Sequence, residues 1–95
     1  MASVYIIYSQ SKNHYYIGFT TETVTLRIER HNNDYYLDKS TASGKPWVLF
    51  LEITCDSNQQ AQKIELHIKS MKSKKYIENL KLFPEMVAIL KLRFG

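Results

Sequence analysis

The reading turns on SVYIIYSQSKNHYYIGFTTETVTLRIERH, residues 3–31. Two short apolar runs, Val4 to Tyr8 and Tyr15 to Phe19, flank a polar turn of Ser9-Gln10-Ser11-Lys12-Asn13, the pattern of a β-hairpin. The first run is apolar or aromatic on both alternating faces, which predicts a strand covered on both sides and lying inside a sheet. The second ends in Gly18, which permits a bend or the close approach of another backbone or a phosphate. Thr20 to Thr23 read as the entry to a helix that runs from Thr23 to about Asn32. Val24 and Ile28 form its apolar side, with Leu26 to one side, and Arg27, Arg30 and His31 occupy much of the rest. Arg27 and His31 stand four apart on one face. A phenol from each strand (Tyr5 and Tyr16), a guanidinium and an imidazole can therefore converge on one small patch.

Beyond this stretch, Tyr35 to Pro46 carries no sustained period and reads as a loop over the sheet. Trp47 to Ile53 is a third strand, too apolar to have one face in water. Ser57 with Gln60 fits a capping box that opens the next helix. There Ala61, Ile64, Ile68 and Met71 make a buried stripe, and Glu65 lies about 100° round from Ile64, at the stripe's edge. Lys69, Lys72, Lys74 and Lys75 crowd the end of this helix. They suit its negative pole, and they equally suit phosphate binding. Ile77 and Leu80 suggest a further helical piece, which Pro84 interrupts as the first turn of a last helix with Val87 and Leu90 inward. The order strand, strand, helix, strand, helix, helix implies an α+β fold. Its core is a small three-stranded, mainly antiparallel sheet flanked by helices.

Ninety-five residues suffice for one domain spanning 1–95 and leave little room for a second. The net charge is +4, unevenly spread: residues 1–62 hold five Lys/Arg against six Asp/Glu, and residues 63–95 hold eight against three. The basic last third is compatible with a polyanionic partner. A single cysteine, Cys55, can form neither an internal disulfide nor by itself a zinc site, and it reads as a small apolar filler at a strand end. No basic-then-apolar signal pattern and no run of membrane-spanning length occur, so the expectation is an intracellular, cytoplasmic protein without membrane contact. His14 and His67 read as plain surface residues.

The succession Val4-Tyr5, Tyr16-Ile17-Gly18, then Arg27-x-x-x-His31 resembles the GIY-YIG nuclease family. Within it the likeness is to small standalone members related to the nuclease domain of the excinuclease C subunit. It continues through Pro46-Trp47 and the Glu65 helix to about Lys75. Ser3 stands where the family has its first glycine, while the chemistry sits on the tyrosine.

The resemblance implies a divalent-metal-dependent endonuclease acting on DNA, structure-specific and serving repair or recombination. It implies Glu65 as the protein ligand of one magnesium or manganese ion, a lone carboxylate suiting a hard cation that keeps most of its waters. It also makes Arg27 the partner of the scissile phosphate, Tyr5 the general base for the attacking water and Tyr16 the group that positions that water or a phosphate oxygen, while His31 can accept the phenol proton or fix its hydrogen bond. A free tyrosine ionises near pH 10, so at pH 7 the phenolate is disfavoured by roughly 4 kcal/mol and activity is expected to rise toward alkaline pH. Gly18, Arg30, Lys69, Lys72, Lys74 and Lys75 are the expected nucleic-acid contacts, with Asn79 as the asparagine many members carry after the glutamate helix. No reading element for base sequence is recognisable, so targeting falls to DNA shape, a protein partner or a homodimer. The alternative is a non-catalytic nucleic-acid-binding module of the same fold. A third reading is an interaction protein that presents Tyr35-Tyr36-Leu37.

Overall fold

A computed structural model describes residues 2–33 and 45–95. The hairpin forms as expected from strand β1 (Ala2–Ser9) and strand β2 (His14–Thr20), paired antiparallel with Tyr5 opposite Gly18 and Ile7 opposite Tyr16. Asn13 closes the turn in left-handed backbone (φ 48°), a conformation asparagine tolerates, and its side-chain oxygen accepts from the Tyr8 hydroxyl at 2.8 Å. Strand β3 (Trp47–Cys55) runs antiparallel along the other side of β1, giving the order β2-β1-β3. β1 is thus central, and Val4, Tyr5, Ile6 and Ile7 are all fully buried.

β3 departs from expectation. Val48 and Leu49 are each 46% exposed, so this edge strand does leave apolar side chains in water. The cause is a register shift: Ile6 faces Leu51 but Ile7 faces Leu49, leaving Phe50 over as an extra residue. An odd residue reverses the alternation. Trp47 therefore packs on one face of the sheet with Tyr5, Ile7 and Val24, whereas Ile53 and Cys55 pack on the other with Val4, Ile6 and Ile17. Cys55 is a buried strand-end filler, and burial pushes its thiol pKa up.

Helix α1 (Val24–Asn32) covers the Tyr5 face. Thr23 caps it, its hydroxyl accepting from the Leu26 N–H at 3.4 Å. Helix α2 (Asn58–Met71) covers the opposite face through Ala61, Ile64 and Ile68. Ser57 Oγ accepts from the Gln60 N–H as the capping box requires, but Gln60 Oε1 accepts in return from the Asp56 N–H, at 2.7 Å, rather than from that of Ser57. The Gln60 amide also donates to the Lys91 carbonyl at 2.9 Å, tying α2 to the last helix. Met71, placed in the stripe by its spacing, is 43% exposed because α2 ends there.

Three helices follow β3, at the three helical pieces read around Glu65, at Ile77 and Leu80 and from Pro84, one more than the expected order of elements counted. Helix α3 (Lys74–Leu82) is separate from α2, parted by Lys72 in left-handed backbone (φ 49°, ψ 42°) and begun by Ser73 as its cap. Helix α4 (Pro84–Arg93) opens on Pro84, and Leu90 and half-buried Val87 pack inward. Among the described residues no helix is long and apolar enough to cross a membrane. Tyr35-Tyr36-Leu37 and most of the expected loop lie outside the described residues.

Candidate active site

Tyr5 projects from the central strand into the layer between the sheet and α1. Its ring lies over its cross-strand partner: a Cβ added to Gly18 would sit 2.6 Å from both Cζ and the hydroxyl oxygen of Tyr5. Gly18 has no positive φ, so close approach of this ring is what the glycine serves here. The Tyr5 oxygen is hydrogen-bonded to His31 Nε2 at 3.0 Å, and Arg27 Nη2 donates to it at 3.5 Å. The Arg27 guanidinium also stands 5.9 Å from the Tyr5 ring centre. The Tyr16 ring centre lies 6.5 Å from that of Tyr5, 5.0 Å from that of His31 and 6.4 Å from that of Trp47. Four residues singled out in the sequence are thus gathered in one cluster. Tyr5 and His31 are buried within it, and Tyr16 and Arg27 are half-buried. His31 meets the phenol as the shared face with Arg27 implied, and it does so buried, with its ring against that of Tyr16.

Both ends of α1 are fastened. At its end the Asn32 side chain accepts from the Trp47 N–H at 2.6 Å and donates to the Trp47 carbonyl at 3.0 Å. That clamp joins α1 to the start of β3, and neither Asn32 nor Trp47 was expected to serve the site. An asparagine at a helix end reads as a stop signal, and nothing local marks a partner 15 residues on. Arg30, an expected nucleic-acid contact, forms an ion pair with Glu22 at 2.8 Å. Beside Arg27, Phe19 to Glu22 complete a polar hollow of about 260 Å³, open to an approaching anion.

Glu65 lies on α2, whose buried stripe belongs to the opposite face of the sheet. Its side chain is 14% exposed, and among the described residues its polar partner is Lys69, at 3.4 Å. No direct bond links it to Tyr5, Arg27 or His31. Asn79 is half-buried on α3, where its carbonyl accepts from the Phe83 N–H at 2.8 Å, and no described bond joins it to the cluster. His14 is exposed, whereas His67 packs between the rings of Tyr76 and Phe94.

The four lysines do not share one helix end. Lys69 occupies the last turn of α2, Lys72 is its left-handed cap, and Lys74 and Lys75 open α3, at that helix's positive pole. Lys74 Nζ donates to the Asn13 carbonyl at 2.5 Å. Among the described residues no group of three or more His, Cys, Asp and Glu side chains forms a metal cluster.

Comparison with known proteins returned no curated protein and no solved structure. The family model described as the GIY-YIG catalytic domain matches residues 1–77. That stretch covers most of the chain and contains the hairpin, α1, β3, α2 and all five residues of the expected catalytic set, so the protein belongs to the GIY-YIG family of nuclease domains.

Proposed function

We propose that this protein is a divalent-metal-dependent endonuclease that hydrolyses DNA phosphodiester bonds and selects its substrate by shape. The observation that carries the reading is the Tyr5 oxygen held between His31 Nε2 and the Arg27 guanidinium. Such a phenol is equipped to move a proton: a cation beside it favours negative charge on oxygen, and an imidazole in contact can take its hydrogen.

At 3.5 Å the Arg27 contact to Tyr5 is long for a charge-assisted bond, which normally measures about 2.7–2.9 Å, and a phosphate would offer the guanidinium a shorter one. A phosphodiester entering the neighbouring hollow offers two oxygens to its fork. Movement of Arg27 onto that phosphate would uncover the buried Tyr5 oxygen to a water molecule. Tyr5 then takes a proton from the water as it passes its own to His31, and the water oxygen attacks phosphorus in line. Tyr16, beside His31, positions that water or a phosphate oxygen. The products are a 5′-phosphate and a 3′-hydroxyl.

The donor set fits a hard cation. Glu65 is one mostly buried carboxylate with no cluster of further acids beside it among the described residues, and Lys69, its partner, is 47% exposed and able to swing away. One carboxylate with waters and substrate oxygens suffices for magnesium or manganese. Glu65 would hold the ion, which supplies charge neutralisation at the phosphate and the leaving oxygen. The present Glu65–Lys69 pair is also the observation that favours the second reading, a binding module without catalysis.

Cleavage of labelled single-stranded, duplex, flapped and branched DNA with magnesium, manganese or EDTA separates the two. Cutting that disappears in EDTA and in folded Glu65→Ala and Arg27→Ala proteins is expected. DNA binding without cutting in either metal would replace the nuclease reading with the module.

A further inference from the structure

The junction between α2 and α3 is assembled against local stability. Lys72 adopts left-handed backbone, where glycine or asparagine normally stands. Lys74 and Lys75 occupy the first turn of α3, which holds no acidic residue, so two cations sit at the positive pole of a helix. Neither is the locally preferred choice, and both concentrate positive charge at one point. Lys69 is tied to Glu65 and Lys74 to Asn13, but among the described residues the Lys72 ammonium has no ion pair or hydrogen bond.

Between this junction and β2 lies a cavity of about 310 Å³. Ile17, Ile68 and Ile77, all buried, floor it together with the half-buried Tyr15. Burial and the nearby Glu78 carboxylate raise the Tyr15 pKa, in that order of size, so its ring stays neutral and serves as apolar wall. The exposed Lys69, Lys72 and Lys74 form the rim. An apolar floor below a cationic rim matches a planar base carrying a phosphate. Tyr15 and Ile17 alternate along β2 with Tyr16 and Gly18 of the catalytic cluster, so this edge strand presents one face to each site.

We propose that this cavity is a second substrate site holding one unpaired nucleotide, its base on the Tyr15–isoleucine floor and its phosphate among Lys69, Lys72 and Lys74. The inference rests on the nuclease reading for the ligand's being nucleic acid, and it assigns the source of shape selection: a strand with a displaced or unpaired nucleotide.

The test is binding in EDTA, by fluorescence anisotropy, to a single-stranded oligonucleotide and to a blunt duplex of equal length, for wild type, Lys72→Gly and Lys74→Glu. Each variant is expected to bind the single strand about threefold or more weakly, with a much smaller change on the duplex. For Lys72→Gly the slope of log affinity against log salt should fall by about 0.7. Lys72→Gly should keep or raise the Tm, since glycine suits the left-handed position, whereas Lys74→Glu gives up the bond to the Asn13 carbonyl for a carboxylate that suits the pole and should melt near wild type. Unchanged single-strand affinity, equal losses on both DNAs, or no single-strand binding by wild type would overturn the proposal. So would a lower Tm for Lys72→Gly, because the lysine would then be holding the junction. Wild-type cleavage with unaffected variants sinks this site and leaves the nuclease; selective loss of single-strand affinity in a protein that cuts nothing does the reverse.

Discussion

Replacing Gly18 by alanine tests the cluster at its tightest point. The new Cβ would lie 2.6 Å from Tyr5 Cζ and its oxygen and 3.0 Å from Cε1. Comfortable carbon–carbon contact is about 3.5–4.0 Å, so the ring has to withdraw by roughly 1 Å. Tyr5 is 0% exposed and packs against α1, which leaves it no space to enter. Overpacking of this kind costs about 1–3 kcal/mol, which in a domain of this size lowers Tm by roughly 4–24 °C. A displacement of that size also disturbs the 3.0 Å bond to His31, whose length leaves little room for a change in either direction. A 1 Å misplacement of a catalytic group costs on the order of 100-fold in rate. Differential scanning calorimetry and single-turnover cleavage of the best DNA substrate read the two effects. A Tyr5→Leu background, which shortens the side chain, should remove most of the stability cost of Gly18→Ala in a double-mutant cycle. If Gly18→Ala melts and cuts like wild type, or costs as much beside Leu as beside Tyr, the steric argument is wrong.

Asn32→Ala removes both bonds to the Trp47 backbone and is expected to cost about 1–3 kcal/mol in urea unfolding, while Asn32→Asp should lose less because it can still accept from the Trp47 N–H. Equal stability of all three proteins would show that the clamp is incidental. Alkaline stability follows from groups whose folded pKa lies above the unfolded one: Cys55 and Tyr76 chiefly through burial, against unfolded values near 9.0 and 10.0. The unfolded chain gives up these protons first, so their contribution is complete below about pH 9 and is lost as pH rises through the folded values. Denaturation midpoints should be level from pH 7 to 8 and fall above 9, with a shallower fall between 9 and 10 in Cys55→Ala; an identical slope in that variant would contradict the assignment.

What was legible in the chain is what is encoded locally. The β1–β2 hairpin, the Thr23 and Ser57 caps and the Ala61–Ile64–Ile68 stripe each rest on residues within one or two turns of each other. The Tyr5, Tyr16, Arg27 and His31 cluster was legible for the same reason, since the hairpin register and one helix face bring it together. What escaped depends on partners far along the chain. The bulge at Phe50 arises only when β3 meets β1, and it decides which apolar side chains reach water. The Asn32 clamp joins residues separated by the stretch around 34–44. The burial of His31 follows from packing against Tyr5, not from helical periodicity.

Lys72 shows a different failure, and a more informative one. Spacing alone ran the four lysines along one helix end, where they suit its negative pole and phosphate binding equally. The chain instead breaks at Lys72 and places Lys74 and Lys75 on the wrong pole of the next helix. Gly18 belongs with them: a glycine inside a strand weakens the sheet, and here it admits the Tyr5 ring. Natural chains agree with local preference nearly everywhere because disagreement costs stability, so the positions that disagree mark where something other than folding was selected. In this protein those positions flank one edge strand, Gly18 on the face of β2 beneath the phenol and the lysines of α2 and α3 around the cavity against its other face. On the two proposals made above, a substrate strand passing the β2 edge would meet both, and β2, rather than the buried centre of the sheet, would be the element that couples catalysis to selection.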